Sequence, residues 1–278
     1  MACRTHLSRR GLLAGAVAGL GGLAAPAGAQ VTDLRGLDPL WRDAEDAIRA
    51  FLGPVSFRRD GLAMDLPQHA EAGGSVPLTV RVDAAMTAAD HPRVVHVVAH
   101  GNPTPHVLSA WMTPASGRGE FSTRIRLERT QTVTAVVQMS DGRHLRADRE
   151  VSVSFGACAQ IGTGTNADVA AFRPQTRVSV PARAAPGEVV AIRALISHPM
   201  ETGLRLDPFE EWVRQRIVSR FACTKDGAEV FRARLYPAVA TNPYFQFFAR
   251  AEASGTFGFD WYDTHDLTFV NSATITVG

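Results

Sequence analysis

Two cysteines, Cys158 and Cys223, are the residues best suited to covalent chemistry, because Cys3 falls within an N-terminal export signal. Cys158 follows an alternating strand pattern, VSVSF, and precedes a stretch of small and polar residues, AQIGTGTNADVAAF. We therefore expect its thiol to be exposed at the end of a strand. No Lys, Arg or His lies beside it in the sequence, so nothing local favours the thiolate. Such a thiol is better suited to a carrier role, in which other proteins act on it, than to the role of a catalytic nucleophile.

Three glycines, Gly156, Gly162 and Gly164, lie in or beside this stretch. Because glycine restricts the backbone least, we expect them to give the segment around Cys158 its conformational freedom. The second thiol lies in a different pattern, in which Ile217, Phe221 and Cys223 share one face of a strand. Cys223 is most simply a small buried hydrophobic residue. In an oxidising compartment, a disulfide between Cys158 and Cys223 is the alternative.

The other candidate motifs indicate structure and not catalysis. His96 and His100 lie in a valine-rich strand pattern, RVVHVVAHG, where residues four apart are about 13 Å apart, too far to share a metal ion. His198 begins the sequence HPMETG, whose composition indicates a loop with a packing or interface role. The chain contains no nucleophile elbow, zinc-type cysteine cluster, phosphate-binding loop or dinucleotide fingerprint. We therefore expect neither a metal, a cofactor nor an enzymatic activity.

Residues 1–29 have the composition of an export signal. A cationic start and the pair Arg9-Arg10 precede a mild Gly/Ala/Leu run that ends in Ala27-Gly28-Ala29, which predicts twin-arginine (Tat) export to the periplasm. A signal for the general secretory route is the alternative. The whole chain has 29 Lys+Arg and 27 Asp+Glu, so removing Arg4, Arg9 and Arg10 leaves 26 against 27. This near-neutral balance argues against nucleic-acid binding, and the lack of another long apolar run argues against membrane insertion.

Hydrophobic periodicity predicts the elements that position these residues. An apolar stripe with helical spacing predicts a helix capped by Asp38, with Pro39 in its first turn and its end at Gly53-Pro54. After this helix, apolar residues recur at every second position, as in Val76, Leu78, Val80 and Val82. This pattern predicts short strands that alternate with turns. The pattern predicts an all-β protein of two sandwich domains, the first with an N-terminal helix.

The alternation lapses only between the two strand-rich blocks. We predict a first domain at residues 30–158 that ends in the candidate cysteine, a flexible linker at 159–174 and a second β domain at 175–278. Lys225-Asp226-Gly227 in the second block predicts a hairpin turn. The aromatic residues of YFQFFA and FGFDWY are expected in its core, with a partner-docking face as the alternative.

Several segments resemble a known pair of protein families. The stretches SVPLTVRVDAAMTAADHPRVVHVV, NPTPHVLSAW, PASGRGEFSTRIRL and QTVTAVVQMSDG are similar to SoxY. The stretches PGEVVAIRALISHPMETG and FACTKDGAEVFRARLYPAVATNPYFQFFARAEASGTFGFDW, with the final ATITVG, are similar to SoxZ. The chain thus resembles a fused SoxYZ-like carrier, with the SoxY-like part first.

The resemblance implies two immunoglobulin-like sandwiches that form a periplasmic sulfur carrier for thiosulfate oxidation. It implies that Cys158 holds sulfur-containing intermediates covalently while separate sulfur-oxidation enzymes load and process them. The family's cysteine lies in a GGCGG tail, whereas this chain has Gly156-Ala157-Cys158-Ala159-Gln160 and continues into a second domain. The alternative is an accessory binding module for a periplasmic quinoprotein dehydrogenase or cytochrome system, as some fused relatives are associated with such systems.

Overall fold

Strands dominate the protein. The computed structural model describes residues 43–157 and 164–278, so the predicted export signal, Asp38 and Cys158 lie outside the described residues. The first half contains helix α1 (Ala44–Leu52) and strands β1 (Leu62–Asp65), β2 (His69–Ala72), β3 (Val76–Val82), β4 (Pro92–Ala99), β5 (His106–Met112), β6 (Glu120–Ile125), β7 (Gln131–Met139) and β8 (His144–Phe155), with short 3-10 helices at Gly73–Ser75 and Pro114–Ser116.

Strands also dominate the second half. It contains helix α2 (Asn166–Ala171) and strands β9 (Gln175–Ser179), β10 (Arg183–Ala184), β11 (Glu188–Ser197), β12 (Val218–Lys225), β13 (Ala228–Leu235), β14 (Tyr244–Ala251), β15 (Gly255–Asp263) and β16 (Thr268–Val277). The described helices are all too short or too polar to span a membrane. The predicted all-β class with an N-terminal helix is confirmed.

The strands form two sheets that both halves share. One sheet has the order β1-β3-β6-β14-β11-β9, and the other has the order β10-β16-β15-β12-β13-β5-β4-β7-β8-β2. In each order, the strands of the first half stay together and those of the second half stay together. Each half is therefore a two-layer sandwich, and the sandwiches join edge to edge. Residues 40–278 form one compact unit as a result.

The junction between the halves is made by antiparallel backbone pairing. β5 pairs with β13 over five residue pairs, from Leu108 opposite Leu235 to Met112 opposite Phe231. In the other sheet, β6 meets β14 where Ser122 lies opposite Gln246. Because unpaired strand edges expose unsatisfied hydrogen-bonding groups, this joining removes one free edge of each half in each sheet.

Aromatic side chains from both sheets fill the space between them. The ring of Phe231 on β13 stacks on Phe247 of β14 with centroids 4.6 Å apart, and Phe221 on β12 stacks on Phe245 at 5.4 Å. The predicted strand periodicity is confirmed in the same core, since Val76, Leu78, Val80 and Val82 are all buried. The Phe and Trp residues of YFQFFA and FGFDWY therefore form core, as expected.

The hairpin between β12 and β13 has the predicted turn. Asp226 and Gly227 both adopt positive φ angles, 49° and 85°, between the paired residues Lys225 and Ala228. Two successive residues with positive φ define the turn type whose twist suits a tight hairpin, and Asp-Gly is a preferred sequence for it. The turn sets the pairing of Thr224 with Glu229, and a register shift between Thr224 and Cys223 then places Cys223 opposite Phe231.

Helix α1 begins later than the sequence pattern indicates. Asp43, with extended backbone angles, caps the helix by accepting hydrogen bonds from the backbone N–H groups of Glu45 and Asp46 at 2.9 and 3.0 Å. The prediction of Asp38 as this cap is therefore wrong: a carboxylate directly before Ala44 satisfies the free N–H groups of the first turn. The predicted end at Gly53 is confirmed, since its N–H bonds to the carbonyl of Arg49 at 2.8 Å.

Two buried histidines lie beneath α1. His96 on β4 and His106 on β5 both contact the hydroxyl oxygen of Ser109, at 2.7 and 3.0 Å, and Phe51 of α1 lies 4.4 Å from each imidazole ring. Burial lowers the pKa of His96 to about 4 and also lowers the pKa of His106 well below its ordinary value. The predicted strand position of His96 is confirmed, whereas His100 lies in the turn after β4.

We expect the free energy of unfolding to fall as the pH is lowered from 6.5 toward 4. The unfolded chain binds a proton at His96 near pH 6.5, whereas the folded chain binds it only near pH 4, so acid favours unfolding by about 3 kcal/mol at this site. Urea unfolding measured across this range tests the slope. His96→Asn should reduce this slope and leave the part that His106 contributes. An unchanged slope in His96→Asn would contradict the assignment.

Candidate functional site

The end of β8 is packed tightly against a neighbouring segment. The backbone N–H of Ala157 donates to the carbonyl of Leu127 at 3.1 Å, and Leu127 donates in turn to Gly73 at 2.8 Å. A Cβ atom at Gly156 would lie 2.1 Å from the carbonyl oxygen of Glu128, and one at Gly73 would lie 2.0 Å from that of Leu127. Only glycine allows such approach of two backbones. The chain is therefore fixed up to the residue before Cys158.

The described chain resumes at Gly164 and enters α2 at once. Thr165 caps this helix: its hydroxyl accepts from the N–H of Asp168, and the carboxylate of Asp168 accepts from the N–H of Thr165. The side chain of Asn166 donates to the carbonyl of Trp212 at 3.1 Å and accepts from the N–H of Arg214 at 2.8 Å. Part of the predicted linker, residues 159–174, thus forms a helix that is bound to the second half.

A buried arginine holds the other end of α2. Arg216 is 1% exposed, and its Nη1 donates to the carbonyls of Val169 and Phe172 at 2.5 and 3.2 Å. Its Nε donates to Asp263 Oδ2 at 3.1 Å. Burial alone would raise the pKa of Asp263, but hydrogen bonds from the backbone N–H groups of Leu267 and His265, together with the neighbouring His198 and Arg216, lower it to about 2. The ion pair is therefore charged throughout the physiological range.

A cavity of about 450 Å³ lies beside these segments, and its wall includes Ala157 and Gly164, the described residues on either side of positions 158–163. Both halves contribute to it. The first half supplies Gly74, Asn102, Pro103, Thr104, Arg126 and Glu128, and the second supplies Asp168, Val169, Phe172, Pro199, Met200, Glu201, Thr202, Leu204, Arg205, Pro237, Ala238 and Thr241. The cavity therefore exists only because the two sandwiches are joined.

The HPMETG sequence forms one wall of this cavity. Met200 is fully buried and adopts a positive φ of 50°, and its backbone N–H donates to Nδ1 of His198 at 3.0 Å. From the other half, Arg126 donates to the carbonyl of Met200 at 2.9 Å and to the hydroxyl of Thr241 at 2.8 Å. The predicted packing and interface role of this loop is confirmed. Burial lowers the pKa of His198, whose Nε2 lies 3.8 Å from Asp263 Oδ2.

A second buried ion pair joins Arg205 to Glu201 of the HPMETG sequence. Arg205 donates from Nε and Nη2 to Oε2 of Glu201 at 2.8 and 2.7 Å, and both side chains are more than nine-tenths buried. Glu201 also accepts from the N–H of Thr202 at 3.0 Å. Because a buried pair of this kind holds its geometry, the cavity wall at Arg205 is rigid.

An apolar loop, residues 204–212, projects from this wall. Four of the seven exposed large hydrophobic residues among the described ones belong to it: Leu204, Leu206, Phe209 and Trp212, with Phe209 76% exposed. The loop is ordered by Asp207, whose Oδ1 accepts from the N–H groups of Phe209 and Glu211 at 2.8 and 3.0 Å. Clustered exposed apolar side chains usually mark a binding surface.

The second thiol is placed in the core. Cys223 on β12 is 0% exposed, and burial raises the pKa of its thiol above the ordinary value. The prediction of a small buried hydrophobic residue is confirmed. A thiol without solvent contact and held in its neutral form is unreactive, so Cys223 cannot serve as a point of attachment.

The structure describes only some of the predicted site residues. Cys158 and Gly162 lie outside the described residues, whereas Gly164 lines the cavity and Gly156 packs against the backbone of Glu128. The predicted role of Gly156, Gly162 and Gly164 in flexibility stays a prediction, although Gly156 has a steric reason to be glycine. Sequence reasoning missed Gly73, Arg126, Arg205 and Arg216, because isolated arginines and glycines carry no recognisable pattern. The described residues contain no group of three or more His, Cys, Asp or Glu side chains suited to a metal ion.

Comparison with known proteins assigns both halves to families. The family described as sulfur oxidation protein SoxY matches residues 48–158, and the family described as sulphur oxidation protein SoxZ matches residues 177–274. No curated protein matches the chain. The structure of the sulfur carrier protein SoxY from Chlorobium limicola f thiosulfatophilum is 30% identical, with a TM-score of 0.34, over 39% of this chain and 94% of that one.

Two further structural likenesses are distant. Two variants of superoxide reductase (neelaredoxin) from Ignicoccus hospitalis are each 14% identical with a TM-score of 0.30. One match covers 37% of this chain and 79% of the reductase, and the other covers 44% and 86%. Likeness at this level carries no functional argument.

Proposed function

Because the chain belongs to the sulfur oxidation protein families SoxY and SoxZ, fused in that order, we propose that it is a periplasmic covalent carrier with Cys158 as its point of attachment. It holds sulfur-containing intermediates and presents them to separate enzymes, and it performs no turnover by itself. The observation that carries the proposal is the common cavity at Ala157 and Gly164, which both SoxY and SoxZ halves build around the ends of the cysteine segment.

The chemistry assigned to Cys158 is formation of a sulfur–sulfur bond. With thiosulfate, the Cys158 thiol and the sulfane sulfur join into a cysteine S-thiosulfonate, and one proton and two electrons are released. A separate periplasmic redox protein accepts those electrons. The described cavity wall supports a holding role: its Arg205 and Glu201 neutralise each other, and its backbone is fixed by hydrogen bonds.

Mass spectrometry of the intact protein, purified from its own cells during growth on thiosulfate, tests this function. We expect an added mass on Cys158 that a reductant removes, because a disulfide-like bond exchanges with thiols. The absence of any adduct under conditions in which the pathway runs would contradict the carrier role. Recovery of the processed protein from the periplasmic fraction, without residues 1–29, tests the location.

A second candidate function is an accessory docking module for a quinoprotein dehydrogenase or cytochrome system, in which Cys158 is dispensable. The apolar loop favours this alternative, since it exposes Phe209 and Trp212 and begins at Leu204 in the cavity wall. Replacing Cys158 separates the two functions. A strain that keeps its growth phenotype without the thiol has a docking module, and a strain that loses it has a carrier.

We expect the double variant Phe209→Ala/Trp212→Ala to slow enzymatic loading of Cys158 about 30-fold, the usual effect of removing an aromatic hot spot at an interface. The readout is the thiosulfate-dependent rise in mass produced by a periplasmic extract of the source cells. Val270→Ala is the matched control, because Val270 is also an exposed hydrophobic residue but lies on β16. Equal rates in all three proteins would exclude the apolar loop from partner docking.

A further inference from the structure

The outer face of the sheet that contains β12 and β13 concentrates positive charge. Arg232 and Arg234 alternate with buried residues along β13, so both side chains face away from the core. On β12, Arg220 lies directly opposite Arg234 and therefore shares that face. Like charges that lie directly opposite each other on paired strands are destabilising, so a negatively charged partner would relieve repulsion here.

Each of these three arginines lies over an aromatic ring. The guanidinium carbons are 3.8, 4.1 and 5.5 Å from the ring centroids, with Arg220 over Tyr262, Arg232 over Trp111 and Arg234 over Tyr236. A ring attracts the cation through its face, whereas the N–H groups of a guanidinium lie in the plane of that group. Stacking therefore orders a guanidinium group without using its N–H donors.

The donors of Arg220 are not used within the described part of the chain. Arg232 donates from Nε to Glu229 Oε2 at 3.1 Å, whereas Arg220 has neither a carboxylate within ion-pair distance nor a hydrogen-bond acceptor among the described residues. The carboxylate nearest to it along the neighbouring strand, Asp260, lies opposite Ala222. Because Arg220 is only half-buried, a carboxylate from another molecule can reach its guanidinium group.

This face extends across the junction between the two halves. Trp111 belongs to β5 of the first half and lies opposite Arg232 on β13 of the second half. On the other side of β12, Tyr262 of β15 lies opposite Arg220. The complete face therefore exists only in the joined sheet, and a partner that covers it contacts both halves.

We propose that this arginine–aromatic face, made of Arg220, Arg232, Arg234, Trp111 and Tyr262, docks a protein partner through a carboxylate-rich surface. Guanidinium groups bind carboxylates in a planar geometry with two parallel hydrogen bonds, and Arg, Tyr and Trp are enriched in the hot spots of interfaces. A carboxylate beside Arg220 also offsets its repulsion of Arg234. The inference rests on the proposed function, since it gives the surface chemistry of a separate enzyme that acts on this chain.

Titration with decaglutamate tests the face on the full mature protein without involving Cys158. The side-chain Nε–Hε signal of Arg220, observed by NMR in isotope-labelled protein, should shift as the peptide binds. Arg220→Gln should weaken binding roughly tenfold, the effect of losing a charged hydrogen bond. Arg220→Lys should give an intermediate affinity, because an ammonium group keeps the charge but not the planar fork of donors.

Arg193→Gln is the matched control. It removes the same charge from an exposed position on β11, which belongs to the other sheet. We expect this variant to bind decaglutamate with the affinity of the wild type, because the arginine–aromatic face is unchanged.

Enzymatic loading tests whether a natural partner uses the face. The readout is the rise in mass at Cys158 that thiosulfate and a periplasmic extract of the source cells produce. At low ionic strength, we expect Arg220→Gln to load roughly tenfold more slowly than the wild type, and the difference should shrink as added salt screens the charges. Arg193→Gln should load at the wild-type rate.

Equal affinities of Arg220→Gln and Arg193→Gln for decaglutamate, or an unshifted Arg220 signal, would overturn the inference. Loading of Arg220→Gln at the wild-type rate would overturn it as well. Sodium sulfate at matched ionic strength is the third arm: a sulfate that shifts the Arg220 signal equally and displaces the peptide would indicate a site for small oxyanions and exclude protein docking. If the extract loads not even the wild type, the carrier function fails, whereas the decaglutamate titration still decides the inference.

Discussion

Cys158→Ser is expected to abolish every covalent adduct, with no residual loading at the other cysteine. Cys223 is fully buried, and burial raises the pKa of its thiol, so it cannot replace the lost group. The mature wild-type protein should react with one equivalent of a thiol reagent under native conditions, and the variant with none. Intact mass after incubation with thiosulfate and periplasmic extract should show the adduct in wild type only.

Cys223→Ser is the matched control for this prediction. It should load at the wild-type rate, because the buried thiol takes no part in the chemistry. It should lose stability modestly, since a hydroxyl replaces a small apolar group in a core strand. A disulfide between the two cysteines, the alternative that the sequence leaves open, predicts a different result: neither thiol would react until a reductant is added.

Gly156→Ala is expected to destabilise the protein by about 1–3 kcal/mol and to slow loading of Cys158. The added Cβ would lie 2.1 Å from the carbonyl oxygen of Glu128, so the backbone at position 156 must move away from that of Glu128. That movement breaks the hydrogen bond from Ala157 to Leu127, which fixes the entry to the cysteine segment. Urea unfolding measures the first effect, and the rate of adduct formation measures the second.

Gly164→Ala distinguishes the steric explanation from simple flexibility. A Cβ there would meet its nearest atom, Cβ of Asp168, at an ordinary 3.4 Å, so it should be tolerated with little change in stability. If both glycines serve only to loosen the backbone, both variants should slow loading by similar factors and leave stability nearly unchanged. A large effect confined to Gly156 supports a fixed anchor beside the thiol.

The sequence predicted those features that depend on neighbours along the chain. Alternation of side chains identified β3 and its buried face, and the same parity identified Cys223 as a core residue. The Asp226-Gly227 turn followed from the backbone angles that only a few residues tolerate. The start of α1 was missed because Asp38 and Asp43 are both acceptable caps, and local pattern alone does not choose between them.

The cavity and its anchors depend on contacts between distant parts of the chain. Arg216 lies 47 residues from both Val169 and Asp263, and Gly156 requires glycine only because Glu128 packs against it. The edge-to-edge pairing of β5 with β13 likewise joins strands that nothing in their periodicity assigns to each other. Hydrophobic periodicity predicts which face of a strand is buried. It does not predict which strand pairs with each of its edges. The sequence alone therefore determined the strand-rich class and the candidate thiol, whereas tertiary packing decided which contacts hold Gly156, Ala157 and α2, the described residues before and after that thiol.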